Sequence, residues 1–211
     1  MSDHKKLVIA LTGASGAIYA QRTLMALETT PHQVEIVASK TGGDLFRQET
    51  GQHLDAFIHE RVAAGADFKL WNSDDFYAPF SSGSQPYDAM VVVPCTVGFL
   101  GRAAAGVADD LGTRAADAFL KEGRKLVLVV RETPFSEIHL QNMLQLRRAG
   151  AVILPANPGF YTKPANIEEL VDGIVQRILD HVGLQDVAVH RRWRQGTARR
   201  RATNRKELPR S

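Results

Sequence analysis

Five short stretches of this chain place hydroxyls, charges and glycines where apolar runs end: Gly13–Gly16 (GASG), Ser39-Lys40, Pro94–Gly98 (PCTVG), Arg131-Glu132 and Pro155–Tyr161 (PANPGFY). These residue types bind anions, because glycine lets the backbone approach an oxyanion closely, hydroxyls donate, and guanidinium adds charge. Gly13-Ala14-Ser15-Gly16, between an apolar run and AIYAQRTLMALE, reads as a strand-to-helix turn. There Ser15 and the unpaired N–H groups of the following helix would meet a phosphate. The turn is neither G-x-G-x-x-G nor a P-loop with its lysine, so it favours neither NAD nor ATP. A plain turn with Ser15 as helix N-cap accounts for the same residues.

The elements that must position these stretches are apolar, β-branched runs at Leu7–Leu11, Val34–Ala38, Ala89–Val93, Leu126–Val130 and Ala151–Leu154. Helical patterns stand between most of them, at Ala17–Glu28, Gly98–Ala105, Thr113–Lys121 and Ser136–Arg148, and a last amphipathic helix spans Ile167–Val182. Strands alternating with helices predict an α/β domain, a single doubly wound and mainly parallel sheet with helices on both faces, of Rossmann-like type. In such a sheet ligands bind beyond the carboxyl ends of the strands, which is where the five polar stretches fall. Their convergence predicts one large polar site for a phosphate-bearing ligand.

At 211 residues and 44% hydrophobic content, one domain over residues 1–189 is expected. No stretch approaches the roughly 18 apolar residues of a membrane span, and MSDHKKLVIALTG passes into the first strand without a signal-peptide pattern, so a cytoplasmic protein is expected. A lone Cys95 excludes an internal disulfide and disfavours a thiolate zinc site. The net charge of +3 is uneven: residues 190–211 hold nine Lys/Arg and one Glu, leaving 17 basic and 22 acidic residues elsewhere. The tail therefore reads as a solvated basic terminus, with Trp193 as a docking point within it. Nucleic-acid binding is not expected, since one aromatic makes no stacking platform.

Ten spaced motifs, Thr12–Tyr19 (TGASGAIY), Ser39-Lys40, Ser82–Ser84 (SGS), Pro94–Gly98, Arg114–Asp117 (RAAD), Leu120–Glu122 (LKE), Arg131–Pro134 (RETP), His139–Met143 (HLQNM), Gly150–Ala156 (GAVILPA) and Gly159–Tyr161 (GFY), resemble a UbiX-type flavin prenyltransferase over about residues 7–184. The resemblance implies transfer of a dimethylallyl group from dimethylallyl monophosphate to N5 and then C6 of reduced FMN, without a metal. The prenylated FMN would pass to a UbiD-type decarboxylase. It further implies a homo-oligomer, a dodecamer in many members, with sites at subunit interfaces. Gly13, Ala14, Ser15, Ser39, Thr96, Val97, Gly98, Phe99 and Arg131 would hold FMN, Thr96 standing where the family usually has Ser. Lys121, Glu132, Tyr161 and Arg177 would surround the alkyl phosphate, with Arg114 completing the basic shell and Trp193 near the prenyl group. Within this set Glu49, Lys121, Glu132 and Tyr161 are the catalytic candidates, with Glu132 protonating the leaving phosphate and Glu49 taking the proton at N5.

Each residue also has an ordinary structural role available. Lys121 and Glu49 suit solvated helix ends, Arg177 a surface pair with Asp180, Tyr161 a packing site, Cys95 an inert core thiol and His139 a helix-fixing hydrogen bond. Asp74-Asp75 and Asp109-Asp110 lack a third spaced Asp for magnesium-diphosphate chemistry and suit turn or helix caps. The competing functions are an FMN-dependent cysteine decarboxylase, for which neither His53 nor His59 is well placed in the sequence, and a non-catalytic flavin carrier.

Overall fold

A computed structural model of the chain describes residues 4–190. Six parallel strands, β1 (Lys6–Leu11), β2 (Gln33–Ala38), β3 (Phe68–Trp71), β4 (Ala89–Cys95), β5 (Lys125–Val130) and β6 (Val152–Pro155), form one sheet in the order β3-β2-β1-β4-β5-β6. Around it lie α1 (Ala17–Leu27), α2 (Lys40–Thr50), α3 (Leu54–Ala63), α4 (Val97–Ala104), α5 (Leu111–Lys121), α6 (Glu137–Arg148) and α7 (Ile167–His181). The expected doubly wound fold is present. The five expected strands and five expected helices all occur, with ends displaced by two residues at most.

The central strands are continuously apolar because both faces are covered. Leu7, Ile9 and Leu11 of β1 pack with α1, α2, α3 and α7, while Val8 and Ala10 pack with α4, α5 and α6. Three elements carried no such signal. β3 is a short edge strand with only Phe68 buried, and α2 begins KTGG and buries only Gly42 and Phe46. α3 is the third, its buried side chains being Leu54, Phe57 and Ile58. Gly42 in α2 is a packing requirement: a Cβ there would stand 2.6 Å from the carbonyl oxygen of Leu11.

The buried carboxylate of Glu35 fastens the β3 edge. It accepts from Trp71 Nε1 at 2.5 Å, Gln33 Nε2 at 3.0 Å and Tyr87 Oη at 3.2 Å. Burial, and next the Glu35 charge, push the Tyr87 phenol well above its ordinary range.

Both Asp pairs serve local structure. Asp75 accepts from Tyr77 N in a turn, and Arg102 bridges Asp109 and Asp110 at 2.6 and 2.8 Å. Asp110 also closes a capping box with Thr113 at the start of α5. Burial works against the Asp110 charge, but the Thr113 N–H and the Arg102 guanidinium outweigh it and hold this carboxyl below the usual range. Its contribution is therefore complete above the ordinary carboxylate pKa and is lost as pH falls through the lower native value. Asp110→Ala is expected to destabilise the protein by about 1 kcal/mol near neutral pH. That difference should shrink in acid, as thermal unfolding of both proteins across pH would show.

Candidate functional site

The strand order reverses direction between β1 and β4, so a crevice opens beyond their carboxyl ends. Thr12 ties its two lips: its hydroxyl donates to Pro94 O at 2.7 Å and accepts from Thr96 N at 2.9 Å. Ser39 N donates to Leu11 O at 2.9 Å, which fixes the neighbouring loop. The hydroxyls of Ser39 and Thr96 cap α2 and α4, accepting from Gly42 N at 3.1 Å and Phe99 N at 3.0 Å. Both helix N-termini thus start at the crevice. Gly13 allows the first loop to pack on α2, since a Cβ there would lie 2.6 Å from Thr41 Cγ2. Ala14 is buried, and Ser15 is exposed beside it with no hydroxyl partner among the described residues.

The start of α1 differs from the expectation of a Ser cap and unpaired N–H groups. Its N-cap is Gly16, in the left-handed region at φ 109°, and has no side chain to offer. Glu49 Oε2, from the last turn of α2, accepts from Gly16 N at 2.9 Å and Ala17 N at 2.7 Å. A carboxylate already occupies the positive end of α1, where it is stabilising. Glu49 is thus a helix-end charge and also a group fixed in the crevice, with no partner for Oε1 among the described residues.

Arg131 follows β5 and reaches the same turn, its Cγ 3.8 Å from where a Gly16 Cβ would stand. Its backbone N donates to Cys95 O at 3.3 Å, but its buried Nε has no hydrogen-bond partner among the described residues. A buried unpaired guanidinium N–H is costly, and an anionic ligand in the crevice would satisfy it. Tyr19, one turn into α1, sits close by. Burial raises its phenol pKa, against the pull of the Arg131 charge, and its hydroxyl lies 3.4 Å from Ala156 O. Glu132 is half-buried, with Oε1 accepting from Thr133 N at 2.9 Å.

A second station lies along α7, a cavity of about 450 Å³ that brings Tyr161 and Arg177 together with Asn157, Gln176 and His190. The Tyr161 ring covers Gly159, where a Cβ would come within 2.7 Å of Cε1. Arg177 is exposed and only loosely paired with Asp180 at 3.6 Å, so its charge remains available to a ligand.

Other expected residues fall elsewhere in the single chain. Lys121 ends α5, four residues before the amino end of β5, and pairs with Glu122 at 3.7 Å. The length of β5, about 20 Å at strand rise, separates it from Arg131. Arg114, two helical turns earlier on the same face, donates through Nε to Ser81 O at 3.1 Å. Arg124 grips the adjoining Ser-Gly-Ser loop through Gly83 O and Gln85 O. Val97 and Gly98 form the first turn of α4 at the crevice, whereas the Phe99 side chain is 1% exposed and belongs to the core. Cys95 is fully buried, which pushes its thiol pKa up and leaves it inert. His139 caps α6 reciprocally with Ser136. Trp193 lies outside the described residues. The roles of Thr12, Tyr19 and Gln176 were not foreseen. Thr12 and Tyr19 stand inside the TGASGAIY motif, but only contacts across more than a hundred residues of chain reveal what Tyr19 touches.

Known proteins share this scaffold. The flavoprotein family model matches residues 1–179. The flavin prenyltransferase UbiX of Methanothermobacter thermautotrophicus is 43% identical over 189 residues, covering 90% of this chain and 95% of that one. A crystal structure of AnUbiX (PadA1) in complex with FMN and dimethylallyl pyrophosphate superposes with a TM-score of 0.82 at 44% identity, covering 91% of this chain and 98% of that one. A dodecameric FMN-dependent UbiX-like decarboxylase from Escherichia coli O157:H7 gives a TM-score of 0.82 at 43% identity, covering 90% and 100%. A crevice with an unpaired arginine, a fixed glutamate and a neighbouring Tyr-Arg cavity thus stands on a scaffold shared along its length, and the chain belongs to the flavoproteins of the UbiX-type flavin prenyltransferase family.

Proposed function

We propose that this protein transfers the dimethylallyl group of dimethylallyl monophosphate to N5 and C6 of reduced FMN, without a metal, and supplies the prenylated FMN to a UbiD-type decarboxylase in the cytoplasm. The observation that carries the reading is the buried Nε of Arg131, unpartnered among the described residues, beside the Gly13–Gly16 turn, with a separate Tyr161–Arg177 cavity nearby. Reduced flavin supplies the nucleophile when bound. Arg131, the free N–H groups at the starts of α2 and α4, and Ser15 would hold its phosphate. Glu49 Oε2 is held by two backbone N–H groups, and its Oε1 would accept the proton from N5. Tyr161 and Arg177 would bind the alkyl phosphate, and Glu132 would protonate it as it leaves with the C–O electron pair.

Metal-independent departure is supported by cations. Each well-placed donor to a developing oxyanion contributes about 2.7–4 kcal/mol, and the family pattern gathers Arg114, Lys121 and Arg177 there. Asp74, Asp75, Asp109 and Asp110 are engaged in turns, caps and ion pairs. Because Lys121 sits at the opposite edge of the sheet from Arg131, a second copy of the chain would deliver Arg114 and Lys121 to the phosphate. Exposed apolar side chains suit such an assembly: Tyr77 is 98%, Phe160 71% and Ile138 68% exposed. The dodecameric E. coli relative is a precedent for assembly of this scaffold.

Anaerobic incubation with reduced FMN and dimethylallyl monophosphate, without metal, is expected to yield flavin heavier by one C5H8 unit in mass spectrometry. Unmodified flavin from FMN-loaded protein would sink the reading. Arg131→Ala should weaken FMN binding by about 10- to 100-fold, read by flavin fluorescence, if it donates a charged hydrogen bond. Glu49→Gln keeps an oxygen acceptor for the start of α1 and should lower the melting temperature only slightly, through the lost charge at that helix end, while transfer slows by about 100-fold or more. Oligomers mixed from Lys121→Ala and Tyr161→Phe chains, each nearly inactive alone, should recover activity, and no recovery would place both residues in one chain's site.

A further inference from the structure

We propose that Gln176 is a positioning residue for this reaction, latching residues 187–190 onto α7 so that the His190 imidazole walls the cavity of Tyr161 and Arg177. The inference rests on the reading of that cavity as the alkyl-phosphate station.

Gln176 is 4% exposed on the inner face of α7, and a buried amide must satisfy both donors and acceptors. Its Oε1 accepts from Val189 N at 3.0 Å and His190 N at 3.4 Å. Its Nε2 donates to Val187 O at 3.1 Å and to Asp180 Oδ1 at 3.2 Å. Residues 187–190 belong to no helix or strand, so this one side chain takes the place of a ladder in fixing their course. Val187 and Val189 pack against the core from the same segment.

The course matters because of where it leaves His190. The imidazole stands over Gly173, where a Cβ would be 3.8 Å from Nε2, a distance that keeps the ring close to α7. On one side His190 borders the cavity of about 450 Å³ with Tyr161 and Arg177. On the other it borders a cavity of about 420 Å³ lined by Lys163, Glu169 and Asp172. The imidazole is therefore a partition. Releasing it would join the phosphate station to a second chamber of similar size, loosening the fit around the alkyl phosphate and admitting water beside the allylic group.

Steady-state prenyl transfer measures the partition. Gln176→Leu removes every hydrogen bond of the latch, and His190→Gly removes the wall while leaving the latch. Both are expected to raise KM for dimethylallyl monophosphate about tenfold with FMN affinity within about twofold of the unsubstituted protein. His190→Gln, which refills the wall with an uncharged side chain and leaves the latch intact, should avoid most of the loss seen in His190→Gly. A purely structural role would move FMN affinity together with KM, with no difference between His190→Gln and His190→Gly, and would overturn the proposal. If Gln176→Leu does not fold, His190→Gly decides, a raised KM supporting the wall and an unmoved KM overturning it. Unmoved KM in both variants of an active protein overturns the latch alone, while an unsubstituted protein that transfers nothing overturns the latch and the function together.

Discussion

Parallel pairing is the constraint from which the rest of this molecule follows. Each parallel neighbour must be reached by a crossover, and α1, α2 and α4, each of which directly follows a strand, begin at the carboxyl edge. The positive ends of the helices consequently gather along one rim. At α1 that end is neutralised by the Glu49 carboxylate, and at α2 and α4 the caps Ser39 and Thr96 leave further N–H groups facing the crevice. The same rule sends Lys121, at the far end of α5, to the opposite rim. One topology thus makes the rim that suits an anion and also removes from it a cation that the chemistry calls for, which gives assembly with another copy a physical motive.

What the sequence disclosed depended on burial. β1, β4 and β5 are hidden on both faces, and their uninterrupted apolar runs were legible, as were the turns that end them. β3 and α2 were not, because each is fixed by contacts from outside its own segment. Trp71 is held by Glu35 from the neighbouring strand, and Gly42 looks like a helix breaker until the carbonyl of Leu11 is seen pressing against it. The site shows the same division. The residues of the strand-end loops were readable as a group, yet the partner of Glu49 is the start of another helix. The wall formed by His190 depends on an amide fourteen residues earlier, which no motif marks.

Several polar side chains here hold backbone rather than one another. Thr12 joins two strand-end loops, Arg124 grips two carbonyls of the Ser-Gly-Ser loop, and Gln176 holds three backbone groups of the C-terminal segment. Such contacts fix irregular segments that have no ladder of their own, which is how loops are made precise enough to bear a site. They also separate tasks. The apolar core sets the sheet and its helices, and a small number of hydrogen-bonding side chains set the rim.

The indole of Trp71 has a spectroscopic consequence. It is one of two tryptophans in the chain, and its N–H is bound to the buried carboxylate of Glu35 at the sheet's outermost strand. Excited-state indole responds to a neighbouring charge, so the emission of this residue reports detachment of that margin rather than events in the crevice. An optical melting trace and a calorimetric one would therefore coincide only as far as the margin and the interior come apart together.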